Sequence, residues 1–156
     1  MSAYSYFDLL NENIQSSEEF KINDQGELFF HEINLKSIIE EHGTPLKITF
    51  LPIISKQIKK AKEMFQNAIE DLNYNGQYTY CYCTKSSHFS FVLDEVLKND
   101  VHIETSSAFD LPLIENLYSK RKITQEKIII CNGFKRPEYT TNITQLINNG
   151  FKNLIH

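Results

Sequence analysis

The chain has 156 residues, of which 41% are apolar, 12% aromatic and 23% charged, the profile of one folded domain and not of a disordered or low-complexity segment. Sixteen basic against twenty acidic side chains give a formal charge of -4 with no basic block, which removes the electrostatic basis for nucleic-acid or anionic-membrane partners. No apolar run approaches the roughly 20 residues that cross a bilayer, and Met1 to Leu10 lacks a signal-peptide core, so a cytoplasmic protein is expected.

In chain order, a short helix is expected around Tyr4 to Leu10, followed by a polar stretch, Asn11 to Glu19. Phe20 to Ile22 and Glu27 to Phe30 are β-prone runs flanking Asn23, Asp24, Gln25 and Gly26, the turn chemistry of a hairpin. Asn34 then caps a helix with Leu35, Ile38 and Ile39 on one face and Gly43 past its end. From there strands and helices alternate. Strands are expected at Pro45–Leu51, Gln77–Thr84, Val101–Thr105, Lys127–Cys131 and Phe151–Ile155. Helices are expected at Ser55–Leu72, with Ile58, Phe65, Ile69 and Leu72 facing a core, and at Phe89–Lys98, Ala108–Ser119 and Pro137–Asn148, the last opened by its proline.

Five strands separated by helices imply right-handed crossovers and a parallel sheet, hence the α/β class. The length suits an open doubly wound sheet, whereas a closed eight-stranded barrel needs roughly 250 residues. Against the open sheet, the chain stops at His156 on an apolar strand with no covering helix after it, as a truncated fold would. The expected division is 1–33, an N-terminal extension with a hairpin, and 34–156, the α/β part.

Reactive groups in parallel α/β folds gather beyond the C-terminal ends of the strands. The strand of Cys81 and Cys83 delivers Lys85 to that edge. Taking a lysine partly out of water favours the neutral amine, which can attack a carbonyl and form a Schiff base; a lysine snorkelling to solvent is the simpler account of its position. Ser86 and Ser87 are read as caps of the next helix and His88 as a residue of its first turn. Glu104 ends the following strand and needs a cationic or hydrogen-bonding partner, for which a lysine of the neighbouring strand would serve. Asp110 has capping-box spacing to Ser107. Asn132 and Gly133 end the next strand, with Lys135 and Arg136 available to an anion. Cys81, Cys83 and Cys131 are expected as reduced thiols, without a metal pair or a disulfide, and the chain carries no glycine-rich phosphate loop and no zinc helix.

Together these junctions resemble pyridoxal-phosphate-dependent decarboxylases with an alanine-racemase-like barrel, and among them the biosynthetic arginine decarboxylases. The resemblance rests on Tyr74-Asn75-Gly76-Gln77-Tyr78 before the strand that leads to Lys85, on Glu104 and Asp110, and on Cys131-Asn132-Gly133-Phe134-Lys135 followed by Glu138-Tyr139. Gly43-Thr44-Pro45-Leu46 also matches a segment that leads into the first barrel strand. Ser86, Ser87 and His88 depart from the family pattern, which often has asparagine two positions after the lysine.

The resemblance implies a partial parallel (β/α) barrel of the TIM type, with about five strands and a small N-terminal hairpin. It implies decarboxylation of arginine to agmatine in polyamine and spermidine synthesis, with pyridoxal 5'-phosphate as cofactor and magnesium as an optional second one. Lys85 would be the catalytic, cofactor-holding lysine, and Glu104, Asp110 and Asn132 would be further cofactor-binding residues. It also implies a homo-oligomer in the full-length form and a fragment that is inactive alone and self-associates. The alternatives are another basic or diamino-acid decarboxylase, acting on diaminopimelate or ornithine, a non-catalytic pyridoxal-phosphate-binding or regulatory relative, and an independent flavodoxin-like binding domain.

Overall fold

The computed structural model describes residues 19–151 and the backbone of 154–155. The helix expected around Tyr4 to Leu10 lies outside the described residues. The chain divides into two compact units, one ending at Thr49 and the other starting at Phe50.

In the first unit, strands β1 (Phe20–Ile22), β2 (Leu28–Phe30) and β3 (Ile33–Asn34) form an antiparallel sheet in that order. The hairpin turn is held by Asn23, whose Oδ1 accepts from the backbone N–H groups of Gln25 (3.1 Å) and Glu27 (2.8 Å). Helix α1 (Leu35–His42) starts as expected, with Asn34 Oδ1 accepting from Lys36 and Ser37, and ends at Gly43, whose N–H donates to Ile39.

The strand expected at Pro45–Leu51, where the first unit ends and the second begins, does not form. Its residues have β propensity but no ladder partner, and propensity of that kind is expressed through neighbouring strands. Instead Leu51 leads straight into α2 (Pro52–Asp71), which begins three residues before the expected Ser55 because Pro52 occupies its first turn with its φ already set. Of the four core positions expected on α2, Ile58 is fully buried; Phe65 and Leu72 are exposed, and Phe65 stacks on Tyr78 at 4.0 Å between ring centroids.

The remaining elements are β4 (Cys81–Cys83), α3 (Ser90–Leu97), β5 (His102–Thr105), a short 3₁₀ turn (Ala108–Asp110), α4 (Leu111–Ser119), β6 (Ile129–Cys131), α5 (Pro137–Asn148) and β7 (Leu154–Ile155). They form a parallel sheet of four strands, not five, in the order β4-β5-β6-β7. Residues Tyr82, Ile103, Ile129 and Leu154 align across it, as do Cys83, Glu104 and Ile130. Side chains alternate between the two faces of a strand, so each register row belongs to one face.

The two faces differ. Ile103, Ile129 and Cys131 join Leu93 of α3, Leu111, Ile114 and Leu117 of α4, and Tyr139, Ile143 and Leu146 of α5 in the main core. A smaller core joins Ile58 of α2 to Val92, Val96 and Val101. The other face, with Cys81, Cys83, His102, Glu104 and Ile130, is half-buried and contributes to neither core. The helices thus lie against one face of a sheet whose strand order never reverses, unlike a doubly wound sheet, which is covered on both faces and reverses at a switch point. Among the described residues no closed barrel is formed.

Candidate functional site

All four strands run the same way, so the residues after β4, β5 and β6 meet along one edge. Lys85 lies two residues beyond β4 and is exposed, so the shelter expected around it is not supplied by the described residues. Among the described residues its ammonium has no ion-pair partner. The turn leading to it is pinned by Thr84, fully buried, whose backbone N–H and hydroxyl both donate to the Glu104 carbonyl (3.0 and 3.2 Å).

Ser86 and Ser87 do not cap the next helix. The Ser86 hydroxyl donates back to the Cys83 carbonyl at 2.7 Å, closing the turn after β4, and the Ser87 carbonyl accepts from the Tyr82 hydroxyl at 2.9 Å. Helix α3 starts later, at Ser90, so His88 lies before it and stacks loosely on Phe89.

Glu104 finds its hydrogen-bonding partner on the side away from Lys85. The Asn132 side-chain amide, just past β6, donates to Glu104 Oε1 at 3.0 Å. The sequence suggests a lysine or an imine from the neighbouring strand for this part; among the described residues the partner seen is the Asn132 amide. Burial, and then the Glu104 carboxyl, push the thiols of Cys81 and Cys83 up, and burial does the same to Cys131. A thiol shifted upward stays protonated near neutral pH and is a poor nucleophile. The cysteines are reduced.

Asp110 serves the loop after β5. Its Oδ2 accepts from the backbone N–H groups of Ser106 and Ser107 (both 2.9 Å) and from the Ser107 hydroxyl (3.0 Å), completing the capping box that its spacing suggested. Burial acts to raise its carboxyl, but these donors outweigh it and hold the group below the ordinary carboxylate range.

The loop after β6 is tied down at successive carbonyls. Lys135 Nζ donates to those of Cys131 (2.6 Å) and Gly133 (3.0 Å), and the Tyr139 hydroxyl lies 3.0 Å from that of Asn132 between them. Tyr139 is 1% exposed, and its hydroxyl also meets the Thr105 hydroxyl (3.0 Å) and carbonyl (3.1 Å), so it bridges the ends of β5 and β6. Sequence reasoning listed Tyr139 only as part of a family motif and missed Thr84 and Thr105; a lone threonine at a strand end carries no pattern that marks it as buried and bridging. Among the described residues no group of three or more His, Cys, Asp or Glu is placed to hold a metal ion. Nor is any helix there long and apolar enough to cross a membrane.

No family model matches the chain. It is 26% identical over 135 residues to the biosynthetic arginine decarboxylase of Vibrio vulnificus, covering 77% of this chain and 21% of that protein. It is 23% identical over 159 residues to the enzyme of the same name from Pelobacter propionicus, covering 92% of this chain and 24% of the other. With the arginine decarboxylase of Solanum lycopersicum it shares 27% identity over 99 residues, 61% of this chain and 19% of the other. The chain therefore spans 19–24% of the length of these relatives. The resemblance read from its strand ends holds: along most of its own length the chain is similar to biosynthetic arginine decarboxylases.

Proposed function

We propose that the chain forms part of the (β/α) barrel of a pyridoxal-phosphate-dependent arginine decarboxylase, with Lys85 as the lysine that holds the cofactor. The observation that carries this reading is the placement of Lys85, Glu104 and Asn132 at or just past the C-terminal ends of three adjacent parallel strands of a sheet whose helices lie on one face. Sequential strand order with single-sided helices is the geometry of a barrel segment, and in barrels chemistry sits at this edge.

The residues present fit an aldehyde cofactor: Lys85 offers an exposed primary amine with no competing ion pair among the described residues, and the neighbouring thiols stay protonated. When bound, pyridoxal phosphate supplies an aldehyde for that amine and a ring that accepts the electron pair left by departing carbon dioxide. Lys85 presents its Nζ at the strand end and can carry a proton there. Glu104, oriented by the Asn132 amide, presents a carboxyl oxygen to a cationic group at the centre of the edge. Asp110 acts one step back, fixing the Ser106–Ser107 loop beside it.

The test is agmatine production by the full-length protein proposed to contain this chain, supplied with arginine and pyridoxal phosphate, with ornithine and diaminopimelate as competing substrates. Agmatine as the main product, lost in Lys85→Ala, is expected. Undiminished turnover by Lys85→Ala, or preference for another amino acid, would overturn the reading.

A further inference from the structure

We propose that Tyr139 is a positioning residue of this edge: through its hydroxyl it sets the Asn132 backbone, and thereby the amide that orients Glu104. The inference rests on the site just described, and it assigns a role to a residue that touches neither Lys85 nor Glu104.

The chain of contacts is short. Tyr139 lies in the first turn of α5, which Pro137 opens, and its ring is buried in the main core, so the helix delivers the phenol to a fixed place under the strand ends. Its hydroxyl lies between the Thr105 and Asn132 carbonyls, at 3.1 and 3.0 Å, with its one proton serving either of them and the Thr105 hydroxyl at 3.0 Å completing its surroundings. Asn132 is itself exposed; its Oδ1 accepts from the Gly133 N–H at 2.7 Å, and its backbone, from which that side chain is aimed, is fixed from both sides. Tyr139 holds its carbonyl from below, and Lys135 spans the carbonyls before and after it while its ammonium sits 5.1 Å from the Tyr139 ring centroid. With the backbone so held, the Nδ2 of Asn132 meets Glu104 Oε1 at 3.0 Å.

Burial pushes the Tyr139 phenol up to about 12. The hydroxyl therefore keeps its proton, and the bridge its donor, throughout the neutral range.

The test reads the Asn132 side-chain amide directly, by proton exchange in nitrogen-labelled protein, so that it depends on no reaction. Tyr139→Phe keeps the ring in the core and removes only the hydroxyl. We expect it to speed exchange of the Asn132 side-chain protons about tenfold, the scale of one lost hydrogen bond. Glu104→Ala, which removes the acceptor, should do the same, and the double variant should add nothing further. Ile143→Val, in the same helix and core but away from the hydroxyls, is the comparison: it should lower stability and leave this exchange rate unchanged. If Tyr139→Phe loses stability as Ile143→Val does while the Asn132 amide exchanges as in the parent, Tyr139 is scaffold alone and the inference fails. Loss of arginine turnover in Lys85→Ala tests the parent reading separately, since the exchange measurement stands whatever the substrate.

Discussion

At Gly133 the backbone has φ +100, a region that side chains with a Cβ rarely adopt, and a Cβ added there would lie 2.3 Å from the Ser106 carbonyl oxygen. The contact is with backbone, so neither partner can swing aside. It makes this glycine the point where the loop after β6 presses against the loop after β5, one residue from Asn132. Gly133→Ala is expected to cost about 1–3 kcal/mol, the range for strained backbone at a site that cannot relax. Denaturant unfolding measures it; a midpoint equal to that of the parent chain would contradict the packing described. In the sequence, a strand followed by Asn-Gly is a local signal for a turn. It could not identify what the turn packs against, since Ser106 is 27 positions away and a close backbone approach leaves no trace in composition.

Among the elements, those with local punctuation were legible and those that depend on partners were not. Asn34 and Gly43 bracket α1, and Ser107 with Asp110 opens the turn before α4, each through hydrogen bonds within four residues. The strand expected at Pro45–Leu51 and the caps expected at Ser86 and Ser87 failed for the opposite reason: β propensity without a ladder, and a helix that starts only at Ser90, with the Ser86 hydroxyl bonded back to the preceding turn. The Asp110 cap also makes a pH prediction. Its carboxyl is held below the ordinary value in the folded chain, so it contributes stability that is present above the unfolded carboxylate pKa and fades as pH falls through the folded one. Asp110→Ala should therefore cost about 1 kcal/mol near neutral pH, and the gap between variant and parent should narrow below roughly pH 4. Urea titrations at several pH values check this; a gap that stays constant down to pH 2 would show that the carboxylate does not hold the loop.

For the whole molecule, the informative fact is which face of the sheet the helices leave alone. Periodicity in the sequence showed alternating strands and helices and could not distinguish an open sheet from part of a barrel, because both use the same crossover. Strand order and one-sided packing carry that distinction, and they arise from contacts between elements that no local pattern encodes. The half-buried face with Cys83, Glu104 and Ile130 then becomes the inner face of the proposed barrel segment, and its C-terminal edge the place for chemistry. Everything proposed for that edge depends on Lys85 being the residue that meets the cofactor's aldehyde. Borohydride reduction of the protein loaded with pyridoxal phosphate, followed by peptide mass spectrometry, measures this most directly. The account predicts a stable label on Lys85; a label on another lysine, or no label at all, would contradict it.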